Sequence, residues 1–493
     1  MIMSSVSVNA ELLKNFKLSG ELDLQGTAGE NVKDFSTHGN AVGAGKANND
    51  RIGSMQTILL VNADWDVLDD VHAKVTLGKN DRTWGTNGND AYGHNGNGAV
   101  GGQQAQSITG AAAGGVLGTV YVDQAYVKID KVFGGVDTTL GRQFYGSQGD
   151  LVAYFGPRLG ILGAPITSLD AARFDWASDM IGVTGLVGKQ TGSALGATGA
   201  ADVDLRALIA TLKSGDMFKG NVYVYDQVTH AIGASGVGAT GFAATPNGLN
   251  NNLWLAGLRG QVNMGMACAK AEFDKNFGDD RTGSVTSDRS TYTGWAAKLD
   301  LGAKADAGVA TVSPWGDFTY ATGQGDKKSS HDNAFTPIAG DYHAGDIYTR
   351  FNNLSAQPLA GGVAGAGAAG VGQNNLSDRV IWGLGLKVTP GMLNKLTAGI
   401  GYWDYRTQTS ATPTANGGTA AFAGNKHIGS EADVNLTWKH SENVSFNTGL
   451  GRFWAGGAIN EAAQSTVAGN ANANSGQGVN PATAEWFDVN IKF

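Results

Sequence analysis

Charged side chains recur inside segments that alternate between polar and apolar residues, and they are the groups of this 493-residue chain best suited to chemistry. Arginine and lysine attract carboxylates, whereas aspartate and glutamate attract cations, so rings of such groups around a passage can select solutes by charge. We therefore predict an interior lined by a mixed set of charges. Its members are Arg142, Arg173, Arg206, Arg259, Lys74, Lys270, Lys298, Glu21, Asp23, Asp64, Glu431 and Asp433.

No arrangement typical of an enzyme accompanies these charges. The chain contains no GxSxG, HExxH or P-loop motif, and its 8 histidines are scattered. We predict that the protein is not an enzyme and needs no cofactor. Asp326 and Asp332 could offer oxygen ligands to Ca²⁺ in a long connection, but their spacing is sparser than that of a dedicated calcium site.

The last stretch of the chain shows most clearly which elements position the charges. Phe487, Val489, Ile491 and Phe493 alternate with polar residues, which is the pattern of a β-strand with one apolar and one polar face. A chain that stops on an aromatic residue at the end of such a strand is typical of bacterial outer-membrane barrels. The same alternation assigns Trp486 to the inner face.

Composition excludes several other classes of protein. The chain has 75 glycines, 9 prolines, and 16% charged residues, and no run of about 18 apolar residues predicts a helical membrane span. Its single cysteine, Cys268, excludes an intrachain disulfide framework and a multi-cysteine metal site. A net charge of −8 argues against a nucleic-acid partner.

The beginning of the chain lacks the basic and apolar regions of a signal peptide. For an exported protein, we therefore expect this sequence to be the mature form, whether the signal was removed naturally or by design. We predict a periplasmic segment over residues 1–15 and one barrel domain over residues 16–493.

Alternating segments follow one another in pairs along the rest of the chain, and their connections differ strictly in length. Short turns link the two strands of each pair, as between residues 68 and 71 or 439 and 444. The connections between pairs are long and rich in Gly, Asn and Ala. They span residues 26–50, 80–118, 144–170, 189–202, 228–251, 278–291, 323–379, 406–427 and 455–482.

Strict alternation of short and long connections predicts a transmembrane antiparallel β-barrel of about eighteen strands, with short periplasmic turns and long extracellular loops. An exported amphipathic sheet must close on itself, and a barrel of this size leaves an aqueous channel unless loops fill it. Residues 144–170 could fold inward as a constriction or pack outside on neighbouring loops. Some tryptophans in or near the strands are expected in aromatic girdles at the membrane interfaces. The candidates are Trp65, Trp254, Trp295, Trp382 and Trp438.

A secreted all-β repeat protein is the alternative fold, since its strands would also alternate. The spacing between hairpins varies widely, however, and no fixed-length repeat is present. The barrel interpretation explains the connection lengths, whereas the repeat interpretation does not.

Several segments resemble the alginate-export porin family of Gram-negative outer membranes. Residues 123–129 followed by the LGRQ of residues 140–143 resemble a hairpin of that family, and residues 320–326 with 333–343 resemble one of its long loops. Residues 375–390 and 429–454 resemble its C-terminal hairpins. The resemblance implies an eighteen-stranded barrel but does not imply alginate as the solute. The polar faces here mix both signs of charge, and no long periplasmic gating loop is present.

These patterns together predict an outer-membrane porin for passive diffusion of small hydrophilic solutes, with anions among the candidates. The alternatives are an export channel for an anionic polysaccharide and a surface structural or adhesive barrel that acts through its long loops. We expect lipid, lipopolysaccharide and the barrel-insertion machinery as partners. The oligomeric state is left open by the sequence.

Overall fold

The structure is a computed structural model that describes residues 14–31, 51–83, 120–160, 166–191, 202–230, 250–281, 290–323, 331–348, 376–409, 411–413, 419–421, 425–457 and 481–493. Within these residues, eighteen long antiparallel strands form one closed sheet. Numbered in chain order, they are β1 (Lys14–Glu30), β2 (Arg51–Leu68), β3 (Val71–Thr83), β4 (Tyr121–Val132), β5 (Val136–Gln143), β6 (Leu169–Ala177), β7 (Ile181–Thr191), β8 (Val203–Ser214), β9 (Phe218–Thr229), β10 (Asn251–Met264), β11 (Ala267–Asp280), β12 (Trp295–Ala303), β13 (Ala310–Ala321), β14 (Arg379–Pro390), β15 (Leu396–Arg406), β16 (His427–Lys439), β17 (Val444–Ala455) and β18 (Ala482–Lys492).

Short elements accompany the barrel. They are the strands Ser290–Tyr292, Ala305–Asp306, His331–Asp332, Ala411–Pro413 and Thr419–Ala421 and the 3-10 helix Gly391–Leu393. No helix within the described ranges is both long enough and apolar enough to cross a membrane.

Each long strand pairs with its neighbours in sequence, and the last strand closes the ring on the first. In β1 and β18, Glu21 lies opposite Lys492 and Glu30 lies opposite Thr483. The closed antiparallel barrel and its closing pair are therefore confirmed. Closure leaves no edge strand with unpaired amides, as a lipid environment requires.

The chain ends directly on the seam between the first and last strands. Gly20 and Phe493 exchange backbone hydrogen bonds of 2.8 and 3.0 Å, and the Phe493 ring lies over Gly20. A side chain at residue 20 would meet this ring at 2.3 Å, so the glycine is needed for the close approach. Phe493 lies on the outer face, as its alternation with Lys492 predicts.

Short turns gather at one end of the barrel, which we call the turn end, and the long connections gather at the other, which we call the loop end. The first strand begins at Lys14 and extends to Glu30, so it continues into the stretch predicted as the long connection of residues 26–50. Its pairing with β2 and β18 continues through Gly26 and Gly29, residues whose low strand propensity hides the extension. Residues 1–13 lie outside the described residues, so the predicted domain division stays a prediction.

Candidate functional site

Alternation along each strand assigns side chains to the outer or the inner face of the barrel. In β10, Trp254 and Leu258 are exposed on the outer face, and Arg259 and Leu255 point to the interior. The outer face carries exposed Val222, Leu384 and Leu450. The inner face of β18 carries Trp486, which is 6% exposed, as the sequence predicts.

Residues 144–160 fold inside the barrel, which settles the alternative left open by the sequence. The segment turns back on itself, with backbone hydrogen bonds of 2.8 and 2.7 Å between Tyr145 and Phe155. Its Asp150 accepts a hydrogen bond of 2.7 Å from Arg259 on the wall. Gly160 donates its backbone N–H to Asp23 at 3.1 Å, near the middle of β1. We call residues 144–160 the first inward segment.

Residues 331–348 form a second inward segment beside the first. Ala339 donates to the carbonyl of Val152 at 2.9 Å and accepts from the amide of Tyr154 at 2.8 Å. Asp341 donates its amide to the carbonyl of Asp150 at 2.8 Å. These backbone bonds make one short layer of the two segments across the lumen.

A buried ion pair joins the two inward segments as well. The Arg158 guanidinium contacts the Asp341 carboxylate, and both side chains are 0% exposed. Burial opposes ionisation of Asp341, but hydrogen bonding by His343 and the charge of Arg158 outweigh it, so the pKa of Asp341 lies below its usual 3.8. For the neighbouring Tyr154, the effect of burial outweighs that of the nearby Arg158 charge and raises the pKa to about 12.

The inward segments pack on an apolar part of the inner wall. Leu151 and Phe155 join a buried cluster with wall residues of β6 to β10, among them Leu186, Leu205 and Leu253. Burial of such side chains stabilises a structure by about 1.5–3 kcal/mol each. The first inward segment is thus held by hydrophobic packing in addition to its polar contacts.

Polar wall groups border this apolar region. The Tyr223 hydroxyl lies 2.9 Å from a Glu272 oxygen and 2.7 Å from an Asp274 oxygen. The Tyr342 hydroxyl donates to Asp317 at 3.0 Å, and Lys298 lies 3.2 Å from Asp300 and 3.6 Å from Asp317. The wall therefore carries both signs of charge beside the apolar region.

Most residues predicted to face the interior do lie on the inner face. They are Glu21, Asp23, Asp64, Lys74, Arg173, Arg259, Lys270, Lys298, Glu431 and Asp433. Several pair with one another or with neighbours, such as Lys74 with Asp64 at 3.3 Å and Arg173 with Asp175 at 2.8 Å. Their placement supports a polar lumen, and their role in selectivity stays a proposal.

Two of the predicted arginines lie on the outer face instead, so their assignment to the lumen is wrong. Arg142 shares a face with exposed Leu140 and lies 3.2 Å from Asp170. Arg206 shares a face with exposed Leu208 and lies 3.2 Å from Asp226. The usual polarity is inverted near the loop end, because there the inner face packs on apolar inward segments and the outer face carries ion pairs.

The predicted calcium candidates gain no support as a pair. Asp326 lies outside the described residues, and one Asp332 oxygen accepts the backbone N–H of Ala334 at 3.0 Å. Among the residues that the structure describes, no group of three or more His, Cys, Asp or Glu side chains could hold a metal ion. A calcium ion bound by the loops stays a prediction.

Sequence reasoning missed three groups that fix the inward segments: Asp341, Asn276 and Tyr405. Asn276 and Tyr405 lie on inner faces and carry no charge, and Asp341 lies in a long connection. Arg158 is a cation among aromatic and apolar residues, but its partner lies 183 residues away in the sequence.

No family model matches the chain, and no curated protein matches it either. Among solved structures, the chain is similar to OccAB3 of Acinetobacter baumannii, with a TM-score of 0.51 and 8% identity over 97% of this chain and 99% of that one. Two Pseudomonas aeruginosa proteins, OccK8 (OprE) and the outer membrane protein OpdK, both give TM-scores of 0.49. Their identities are 10% over 98% of this chain and 99% of OccK8, and 8% over 97% of this chain and 99% of OpdK.

The similarity to OccAB3 bears on the fold alone, since its identity is far too low to carry a function. It agrees with the observed architecture, a closed antiparallel barrel of eighteen strands in the described residues. The class of protein defined by this fold is the large closed β-barrel.

Proposed function

We propose that this protein is an outer-membrane porin through which small hydrophilic solutes diffuse passively. One observation carries the proposal. A closed ring of eighteen strands has charged side chains on its inner wall, and two inward segments narrow its lumen through noncovalent contacts with that wall. A ring of this size has room for an aqueous passage. The inward segments would set its cross-section.

The outer face supports the proposed location in the outer membrane. Large apolar side chains are exposed on it all around the barrel, among them Leu208, Leu258, Ile400 and Leu450. A contiguous exposed apolar band of this extent is unfavourable in water and matches the hydrocarbon layer of a membrane. In that setting the turn end would face the periplasm and the loop end the exterior, with lipid and lipopolysaccharide as neighbours.

Charge gives a reason to prefer general diffusion over polysaccharide export. The inner Arg158, Arg173 and Arg259 each contact a carboxylate, so they do not form a free basic track for a polyanion. Membership of the alginate-export family therefore stays a proposal that rests on the resembling segments alone. We infer no enzymatic role.

Solute uptake by proteoliposomes tests the proposal. Vesicles that contain the folded protein should swell in isotonic arabinose and should not swell in a dextran too large for the lumen. Vesicles with heat-denatured protein provide the control. Equal swelling rates with folded and denatured protein would contradict a porin and would leave the surface-structural alternative.

A further inference from the structure

The second inward segment is attached to the wall at both of its ends. At one end, Asn276 of β11 donates to the carbonyl of Thr336 at 2.9 Å and accepts the amide of Thr336 at 2.8 Å. At the other end, the segment reaches Glu431 of β16. Between these ends it bonds the first inward segment and Asp317.

Glu431 makes an unusually complete set of hydrogen bonds to this segment. One carboxylate oxygen accepts the backbone N–H groups of Asp346 and Ile347, both at 2.6 Å. The other oxygen accepts the N–H of Tyr348 at 2.9 Å, and the Tyr405 hydroxyl oxygen lies 3.1 Å from it. The Glu431 side chain is fully buried.

Three consecutive amides can converge on one carboxylate only because the chain turns sharply before them. Gly345 has φ of +71°, a left-handed conformation that strains other residues. A Cβ atom at residue 345 would also lie 2.1 Å from the Tyr405 hydroxyl and 2.6 Å from a Glu431 oxygen. The glycine, the tyrosine and the glutamate thus form one anchor, which we call the Glu431 anchor.

Neighbouring contacts reinforce the same end of the segment. Tyr405 donates to the carbonyl of Ala344 at 2.8 Å, and Asn435 donates to the Asp346 carboxylate at 2.8 Å. Tyr348 packs against Tyr405 and Phe453 with ring centroids 4.5 and 5.7 Å apart. No cation is among the partners of Glu431 described here, so backbone amides supply most of the hydrogen bonding to its carboxylate.

We propose that Glu431 is the positioning residue that fixes the width of the passage, because it holds the second inward segment against β16. The inference rests on the proposed porin function. Release of the anchor lets the segment leave the wall, so the passage widens and the size limit for solutes rises. The barrel itself stays closed, since its strand ladders do not depend on this carboxylate.

Glu431→Gln is the sharpest variant because it keeps the shape of the side chain and removes acceptors from one of its two ends. The new amide NH2 group then faces either the backbone N–H of Tyr348 or the backbone N–H groups of Asp346 and Ile347, and two donors cannot form a hydrogen bond. A buried donor left without an acceptor costs free energy, so the anchor weakens. Glu485→Gln is the matched control, because Glu485 is an exposed glutamate on the outer face of β18.

Single-channel recording in planar bilayers measures the effect. For Glu431→Gln we expect events of larger conductance to become about tenfold more frequent or more, which corresponds to about 1.4 kcal/mol or more. Glu485→Gln should match the wild type. Uptake of a sugar that the wild type excludes should appear with Glu431→Gln alone.

Tyr405→Phe and Gly345→Ala keep the test decisive if Glu431→Gln does not fold. Tyr405→Phe removes the hydroxyl that contacts both the Ala344 carbonyl and Glu431 and should give a smaller rise in large events. Gly345→Ala should give a rise comparable to Glu431→Gln. Folded variants with wild-type conductance and size limit would overturn the anchor. A wild type that never conducts would instead overturn the proposed porin function.

Discussion

Arg173 and Arg142 show how much the face of a strand matters at the scale of single residues. The two arginines lie on neighbouring strands of the barrel, and both contact an aspartate. Arg173 points into the lumen, whereas Arg142 lies outside near the loop end. The charge of Arg173 therefore acts on the lumen and that of Arg142 on the outer surface, although the sequence predicts both in the interior.

Ion selectivity should respond to the inner arginine and not to the outer one. Arg173→Ala removes a positive charge from the lumen wall and leaves Asp175 without its arginine partner, so the passage becomes more cation-selective. The reversal potential in a salt gradient should shift accordingly. Arg142→Ala serves as the control and should leave it unchanged. Equal shifts from both variants would contradict the assigned faces.

The inward segments illustrate the scale of elements, where a few polar contacts join two long connections. The Arg158–Asp341 pair is fully buried, so removal of one partner strands the other charge at a cost of about 3–5 kcal/mol. The pKa of Asp341 is depressed in the folded protein, so its contribution to stability is complete above the ordinary value. That contribution is lost as the pH falls through the depressed value.

Acid should therefore loosen the inward segments only below the ordinary aspartate pKa of 3.8. We expect residues 144–160 and 331–348 to resist limited pepsin digestion at pH 5 in the wild type and to become cleavable as the pH falls below 3.8. Asp341→Asn should be cleavable across the whole range. Cleavage of the wild type at pH 5 to the same extent as Asp341→Asn would show that the ion pair does not hold the segments.

The closing pair of strands provides a second prediction at this scale. Phe493 packs over Gly20, and Phe487 has the same relation to Gly26 farther along the seam. We expect the barrel-insertion machinery to bind the outer face of the closing strand near the turn end, where Phe493 lies, so Phe493→Ala should lower the yield of inserted barrels more than Phe487→Ala. Heat-modifiable migration in gels measures this yield. Equal losses would assign both rings to packing of the seam alone.

Local signals explain which elements could be predicted from the sequence. Period-two alternation and connection length act over a few residues, so they predict the barrel, the closing strand and the inner placement of Trp486. The path of residues 144–160 depends on partners such as Asp341 and Arg259, which are far away in sequence. Charge alone predicts Arg142 and Arg206 in the interior, and that prediction is wrong because both lie on the outer face. Near the loop end the interior wall is apolar, as Leu186 and Leu205 show.

At the scale of the whole molecule, the free cysteine can report on the passage. Cys268 is exposed and lies beside Gly302. It is five residues from the outer-face Phe273 on the same strand, so it lies on the inner face, near the turn end. A bulky charged thiol reagent should therefore lower the conductance of the wild type and leave Cys268→Ser unaffected. A conductance insensitive to labelled Cys268 would place that sulfur away from the path of the ions.

The whole barrel is the unit that the proposed function requires, because only a closed wall can separate lipid from an aqueous interior, and here eighteen strands close it. Planar-bilayer recording of the purified wild-type protein tests this central claim most directly. The account predicts stepwise current increases of uniform size as single barrels insert. Protein that is inserted, folded and heat-modifiable but passes no current would contradict it.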